Sequence, residues 1–396
     1  MKRVLFCALF ILGSTAAYAQ YHNKDIIHTE VSKTAAPHRV GIILPQVNGY
    51  TPYKADLHTH SIYSDADVTV AYRVREAWSD GLDVMAVTEH IEYRRIEPSM
   101  LKFLKGYTNG EVQKPINNDV IRKAADERGI LADLNHPIAE AQKEAEKFGL
   151  LIIPGAEITR TPETIGHFNA LFTKDNNTIY AEDPLESIRK AREQGAIIMH
   201  NHPGWRCKSV EMLDFQKKVY AENLIDGVEI MNGGQFYPKL IERAKERKLF
   251  MSATTDIHTT TNESYRLRDL HRNMTLVFAK EKSMESIREA LDARRTLAYS
   301  AGQLAGEEQL LSDFFKASIE VKLIYVDKKK KVQRVEVRNL SSIPFVVRHG
   351  NDITRDIQGL GSTILNVRNG STAKFIVENM WTGDHVHPTI EVEIKK

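Results

Sequence analysis

The chain has 396 residues, of which 42% are hydrophobic and 27% charged, and its 54 basic against 52 acidic side chains leave a formal charge of +2. That length exceeds one ordinary core, so more than one folding unit is expected. The near-neutral balance gives no support to a nucleic-acid or anionic-membrane partner, and two cysteines exclude a disulfide framework.

Lys2 and Arg3 precede the apolar run Val4 to Leu12, and Ala17-Tyr18-Ala19 forms a small-x-small pattern before Gln20. Residues 1–19 therefore read as a cleaved secretory signal peptide, and the mature protein as periplasmic or otherwise exported. The run is too short to remain as a membrane span, so no membrane insertion is expected after cleavage. Cys7 lies inside it, upstream of the cleavage point, where it does not fit lipid attachment. Loss of the leader leaves 52 basic against 52 acidic residues and Cys207 as the sole thiol. Stability in an oxidising compartment then rests on packing and metal. Residues 20–50 read as an extended N-terminal segment.

From 51 to 305, short apolar runs alternate with amphipathic stretches at Val70 to Trp78, Ile138 to Phe148, Pro184 to Gln194, Tyr237 to Arg247 and Ser283 to Arg294. Gly81, Gly149 and Gly195 follow three of these, where a left-handed helix C-cap favours glycine. The alternation predicts an α/β unit built on a mostly parallel sheet or barrel, with ligands gathered at the strand C-termini. Polar groups stand at those points in order. They are Asp56-Leu57-His58-Thr59-His60 with Asp65, Thr88-Glu89-His90, Glu157, His167, His200 and His202, and Asp256 with His258.

In an extended segment residues i and i+2 share a face, so His58 with His60, and Asp256 with His258, each offer two groups to one point. A lone His-x-His is as compatible with chance as with function. The ordered set is not, because burying so many titratable groups is costly unless they are paired or bound to a cation. Imidazole with carboxylate and no thiolate fits a hydrolytic site for zinc, manganese or iron better than a closed structural zinc.

Residues 306–316, with the polar Glu307 to Phe315 stretch, read as a linker helix. Beyond it the pattern shortens to period two, with strands at Ala317 to Val326, Val332 to Asn339, Ile343 to His349, Ser362 to Val367, Ala373 to Glu378 and Thr389 to Ile394. Residues 317–396 thus form an all-β, sandwich-like domain. Lys328 to Lys331 reads as a solvated hairpin tip. His385 and His387 read as a surface turn.

The ordered motifs resemble those of the polymerase and histidinol phosphatase (PHP) superfamily. The resemblance is carried by Asp56 to His60 with Ser64-Asp65, Ala86 to His90, Pro154 to Glu157, Gly166-His167, His202-Pro203 and Thr255 to His258, over about Lys54 to Tyr299. Glu89 stands where the family commonly has Asp, and both His200 and His202 precede the proline. The resemblance implies a distorted (β/α)7 TIM-like barrel over 51–305 with two or three divalent ions (Mn, Zn or Fe) at its C-terminal mouth. By motif, His58, His60, Glu157 and Asp256 would hold one metal. Glu157 would bridge to a second that takes His167 and His202, and Asp65, His90 and His258 would hold a third. Glu89 would be an outer-shell partner.

Clustered divalent cations lower the pKa of bound water to about 7, so the expected chemistry is attack of metal-bridged hydroxide on phosphorus. Arg160 and Arg206 follow ligand-bearing segments and are candidate phosphate clamps, with Arg94 a weaker one. His200 or His136 is the candidate general acid for the leaving alkoxide. Export and the appended β domain favour a phosphodiesterase acting on small organic phosphodiesters. The alternatives are a phosphomonoesterase with the same metals, a metal-containing binding module without catalysis, and amide or lactone hydrolysis. Oligomeric state is not readable from the sequence.

Overall fold

The computed structural model describes residues 38–91, 133–158, 165–181, 183–349 and 353–396. The expected signal peptide, most of the 20–50 segment, Arg94 and Arg160 lie outside these residues. Among them the first part of the chain runs β1 (Thr51–Asp56), α1 (Val70–Ser79), β2 (Val84–Val87), α2 (His136–Ala145), β3 (Leu151–Ile158), β4 (His167–Leu171), α3 (Pro184–Glu193) and β5 (Ile197–Asn201). It continues with α4 (Asp214–Ala221), β6 (Gly227–Asn232), β7 (Gln235–Phe236), α5 (Leu240–Arg247), β8 (Phe250–Thr254), the short α6 (Thr261–Ser264), β9 (Met274–Ala279), α7 (Met284–Asp292), β10 (Thr296–Ser300) and β11 (Gln303–Gly306).

Local chemistry sets the helix ends. Thr69 and Ser283 cap α1 and α7 by accepting from Tyr72 N and Ser286 N, and Asp183 caps α3 ahead of Pro184. Gly81 closes the turn after α1 at φ +94, where an added Cβ would sit 2.8 Å from the Val40 carbonyl oxygen.

Strands β1, β2 and β3 pair in parallel, as do β5, β6 and β8. The expectation was a mostly parallel, distorted (β/α)7 barrel; the observed departures are that β4 runs antiparallel between β3 and β5, and β9 antiparallel to β1. The connection 159–166 is shorter than the roughly dozen residues a parallel crossover requires, so β4 has to reverse. His167, the first residue of β4, consequently sits at the same end as the C-termini of its antiparallel neighbours β3 and β5.

The sheet curls until β8 meets β9 and β10, where threonine side chains replace a backbone ladder. Thr296 Oγ1 accepts from Met251 N (3.2 Å) and donates to Met251 O (2.8 Å), while Thr275 Oγ1 makes the same pair with Ala253 (3.1 and 2.9 Å).

Helix α8 (Glu308–Ser318) leads into β12 (Ile319–Asp327), β13 (Val332–Asn339), β14 (Phe345–His349), β15 (Ile353–Ile357), β16 (Ser362–Arg368), β17 (Thr372–Val377), β18 (Met380–Trp381) and β19 (Thr389–Lys395). Seven of these strands form one sheet in the order β15-β14-β17-β19-β12-β13-β16. It is a single continuous sheet where two facing sheets were expected, and β15 and β18 carry no clear period-two signal. Strand β18 leaves it to pair with β11, Leu304 opposite Met380 and Ala305 opposite Trp381.

Helix α8, expected as a polar linker, buries Leu311, Phe314 and Phe315. Phe314 stands 6.1 Å from Phe278 of β9 and 6.3 Å from Phe345 of β14, and Phe315 packs on Phe345 at 5.0 Å. One apolar core therefore runs through both sheets. No helix among the described residues is long and apolar enough to cross a membrane.

Candidate metal centre

An isolated parallel bridge pairs Thr59, just after β1, with Ile257, just after β8. Because neighbours in extended backbone alternate, this bridge turns the flanking His58, His60, Asp256 and His258 to one side. A second bridge pairs His90 with Glu157. Asp256 and His202 have positive φ values of 50 and 25. Such backbone is unfavourable for residues with a Cβ and recurs where function requires it.

All nine residues proposed above as metal ligands converge at this mouth. Glu157 Oε1 lies 3.3 Å from His58 Nε2, 3.1 Å from His167 Nδ1 and 3.7 Å from His202 Nε2. Its Oε2 lies 3.2 Å from both His60 Nε2 and His90 Nδ1. Asp256 Oδ1 approaches His58 Nε2 (3.3 Å) and His60 Nε2 (3.2 Å), and Asp65 approaches His258 (3.1 Å) and His90 (3.5 Å). Among the described residues four groupings of donor atoms fall within the span of a single ion: His58-His60-Glu157, Glu157-His167-His202, His60-Asp65-His90-His258, and His58-His202-Glu229.

The donor set fits divalent cations. His58 Nε2 and His60 Nε2 face each other at 3.0 Å between carboxylates, an arrangement that favours positive charge between them. Without a metal the proton supplies it. Burial opposes the imidazolium of His60, yet Asp256 and Glu157 carry its pKa up to about 10. His58 is likewise raised against burial by Asp256, Glu157 and Glu229. Burial would raise Glu157, but His58, His90 and His167 hold it well below the usual carboxylate range. A site that holds its imidazoles protonated only through such carboxylates is one a cation can occupy instead.

The surrounding shell is mostly absent from the sequence expectation. Glu229 on β6 is fully buried and accepts from His58 Nδ1 (2.8 Å), Thr254 Oγ1 (2.7 Å) and the His202 backbone N–H (2.7 Å). It is the carboxylate that orients a ligating imidazole. The one signal for it was an acid inside the apolar run Gly227 to Met231.

Asn201 donates to Glu157 Oε1 at 2.8 Å. Buried Arg73 donates to the carbonyls of His60 (3.0 Å), Thr259 (2.9 Å) and Ile257 (3.1 Å), tying the two ligand-bearing loops together. Asp56, paired with buried Arg272 at 2.5 Å, accepts from the backbone of His58 and Thr255 and so positions ligands without being one. Glu89 accepts from Ser61 and Ser64, and Ser64 Oγ lies 3.1 Å from His60 Nδ1.

The general-acid expectation for His200 is corrected by the fold. His200 lies on the outer face of β5, stacked on Phe168 at 5.0 Å and with Nδ1 3.0 Å from Tyr220 Oη. Asn201 points inward instead, and the left-handed turn at His202 breaks the period that would have placed His200 beside it. His136 opens α2 and meets Tyr63 edge-on at 5.5 Å. Arg206 is exposed at the rim with its guanidinium 4.4 Å from the Trp205 ring, and Trp205 lies 5.4 Å from the rings of His167 and His202. His387 is held by the Met380 carbonyl and Trp381, apart from the cluster.

A model of the PHP domain matches residues 56–235. A crystal structure of a two-domain protein from Bacteroides vulgatus, containing a predicted PHP-like metal-dependent phosphoesterase, matches at 30% identity and a TM-score of 0.75, over 91% of this chain and 100% of that one. This chain belongs to the PHP family. The match extends past the PHP domain into the C-terminal sheet, so the two-domain PHP-like fold is shared along its length.

Remoter structural likenesses include a Chromobacterium violaceum amidohydrolase with bound sulfate and no metal (13% identity, TM-score 0.36, 62% of this chain and 98% of that one). The lesion-specific endonuclease Q of Pyrococcus furiosus is at 15% identity and a TM-score of 0.37, over 64% of this chain and 59% of that one. At those TM-scores they carry no functional weight. No curated protein matches significantly.

Proposed function

We propose that this PHP chain is a metal-dependent phosphoesterase that favours small organic phosphodiesters and acts outside the cytoplasm. The observation that carries the reading is Glu157, whose two oxygens lie within 3.7 Å of nitrogens on five imidazoles. One carboxylate shared so widely suits adjoining cations, and the neighbouring donor groups suit two or three of them. Divalent ions held there supply Lewis acidity toward phosphate oxygens and make water a nucleophile near neutral pH.

The chain's own residues then orient, screen and bind. Glu229 and Ser64 fix the rings of His58 and His60, Arg73 keeps the ligand loops in register, and Trp205 shields one side of His167 and His202. Arg206, stacked against that tryptophan, is the residue we assign to a phosphate oxygen, which its planar fork suits. The N-terminal charge and apolar pattern supports export.

The test is a screen of the chelated and then reconstituted protein with Mn, Zn or Fe against bis-aryl and alkyl-aryl phosphodiesters and their monoesters, with elemental analysis of the same sample. Turnover of diesters to monoesters is expected. Turnover of monoesters alone would replace the diester assignment, and folded, metal-loaded protein inert to every phosphate ester would remove the phosphoesterase reading.

A further inference from the structure

The C-terminal sheet has a concavity that the metal centre does not involve. A cavity of about 260 Å³ opens where β14 and β16 end and β17 begins, lined by Arg348, His349, Val367, Arg368, Lys374 and Ile376 among others. His349 is 8% exposed, and among the described residues neither of its ring nitrogens has a hydrogen-bond partner. An unsatisfied buried polar atom is costly, so two on one ring mark a place that gains from a ligand.

The charges around the cavity define that ligand. Arg348 pairs with Glu378 at 2.7 Å, and Lys374 stands opposite Glu391 in the β17–β19 register. Arg368 is exposed at the end of β16, and no ion pair is seen for it among the described residues. Arg355 stands on β15, opposite Val347 of β14. Burial, with Arg355 next, lowers the proton affinity of His349, so its ring is neutral near pH 7 and offers one N–H and one lone pair. A partner must therefore accept one hydrogen bond, donate another, and carry negative charge for the cations at the rim. Val367, Ala373 and Ile376 give it an apolar wall.

We propose that this cavity binds a small hydroxylated organic anion of sugar-acid or sugar-phosphate size, with His349 at its floor and Arg368 and Lys374 at its rim. The site lies on the appended sheet, shares no residue with the metal cluster, and does not depend on which ester the centre hydrolyses.

Calorimetric titration of the full metal-loaded chain tests it, using glucuronate and glucose 6-sulfate, the latter a stand-in for the phosphate that leaves the phosphoesterase centre idle, with glucose as the uncharged control. Binding of at least one anion and not of glucose is expected, and the two anions separate carboxylate from tetrahedral oxyanion preference. The double variant Arg368→Ala/Lys374→Ala should weaken that binding at least about tenfold while phosphodiester hydrolysis is unchanged, and His349→Phe should weaken it too. The two rim residues are exposed, so their variant carries the test even where His349→Phe misfolds. Absence of binding by both anions, or equal binding in wild type and the double variant, would overturn the proposal.

Discussion

At the scale of single residues, Glu157 is the group on which the centre turns. Replacing it by Gln keeps the shape but removes the charge that Asn201 and five imidazoles surround, so the metal content of Glu157→Gln should fall at two positions together. Full occupancy by elemental analysis would end the bridging role. Arg206 is a different case, because it lies at the exposed rim against Trp205. Arg206→Ala should raise KM or lower kcat/KM by about tenfold, the effect of one lost charge-assisted contact, with unchanged metal content. An unaltered kinetic profile would return it to a plain surface role.

Among the elements, β5 shows how a strand sorts two neighbouring histidines. His202 turns to the metals through its positive φ, whereas His200 remains on the helix-facing side in an apolar pocket. Burial, then the charge of Arg243, holds the His200 pKa well below its ordinary value. The folded state therefore favours the neutral ring, and this contribution is complete above about pH 6.5 and declines as pH falls toward the folded pKa. His200→Phe should be less stable than wild type at pH 7 through loss of the Tyr220 contact. That gap should narrow by up to about 1.4 kcal/mol for each pH unit below 6.5. Melting curves from pH 7 to 5 that stay parallel would contradict the assignment.

For the whole molecule, the two sheets are joined by more than a tether. Strand β18 extends the first sheet, and Phe314 fills the space between Phe278 and Phe345. Phe314→Ala should cost about 3–5 kcal/mol, as expected for a buried aromatic whose site cannot fully collapse. The first sheet and the C-terminal sheet should still melt in one transition, because both line the same core. Two separated transitions in calorimetry would show that the sheets fold independently.

The sequence by itself determined which side chains gather and why. Period-two pairs such as His58 with His60, and polar groups recurring at the ends of apolar runs, were legible because strand geometry and the cost of burying charge act locally. Most strands of the C-terminal sheet were legible for the same reason. Only the tertiary structure decided that His200 faces outward, that Glu229 and Arg73 hold the ligands, that β4 reverses, and that the presumed linker is core. Each of those depends on a contact between residues far apart in the chain, or on a backbone turn that such contacts stabilise, and no local pattern encodes either.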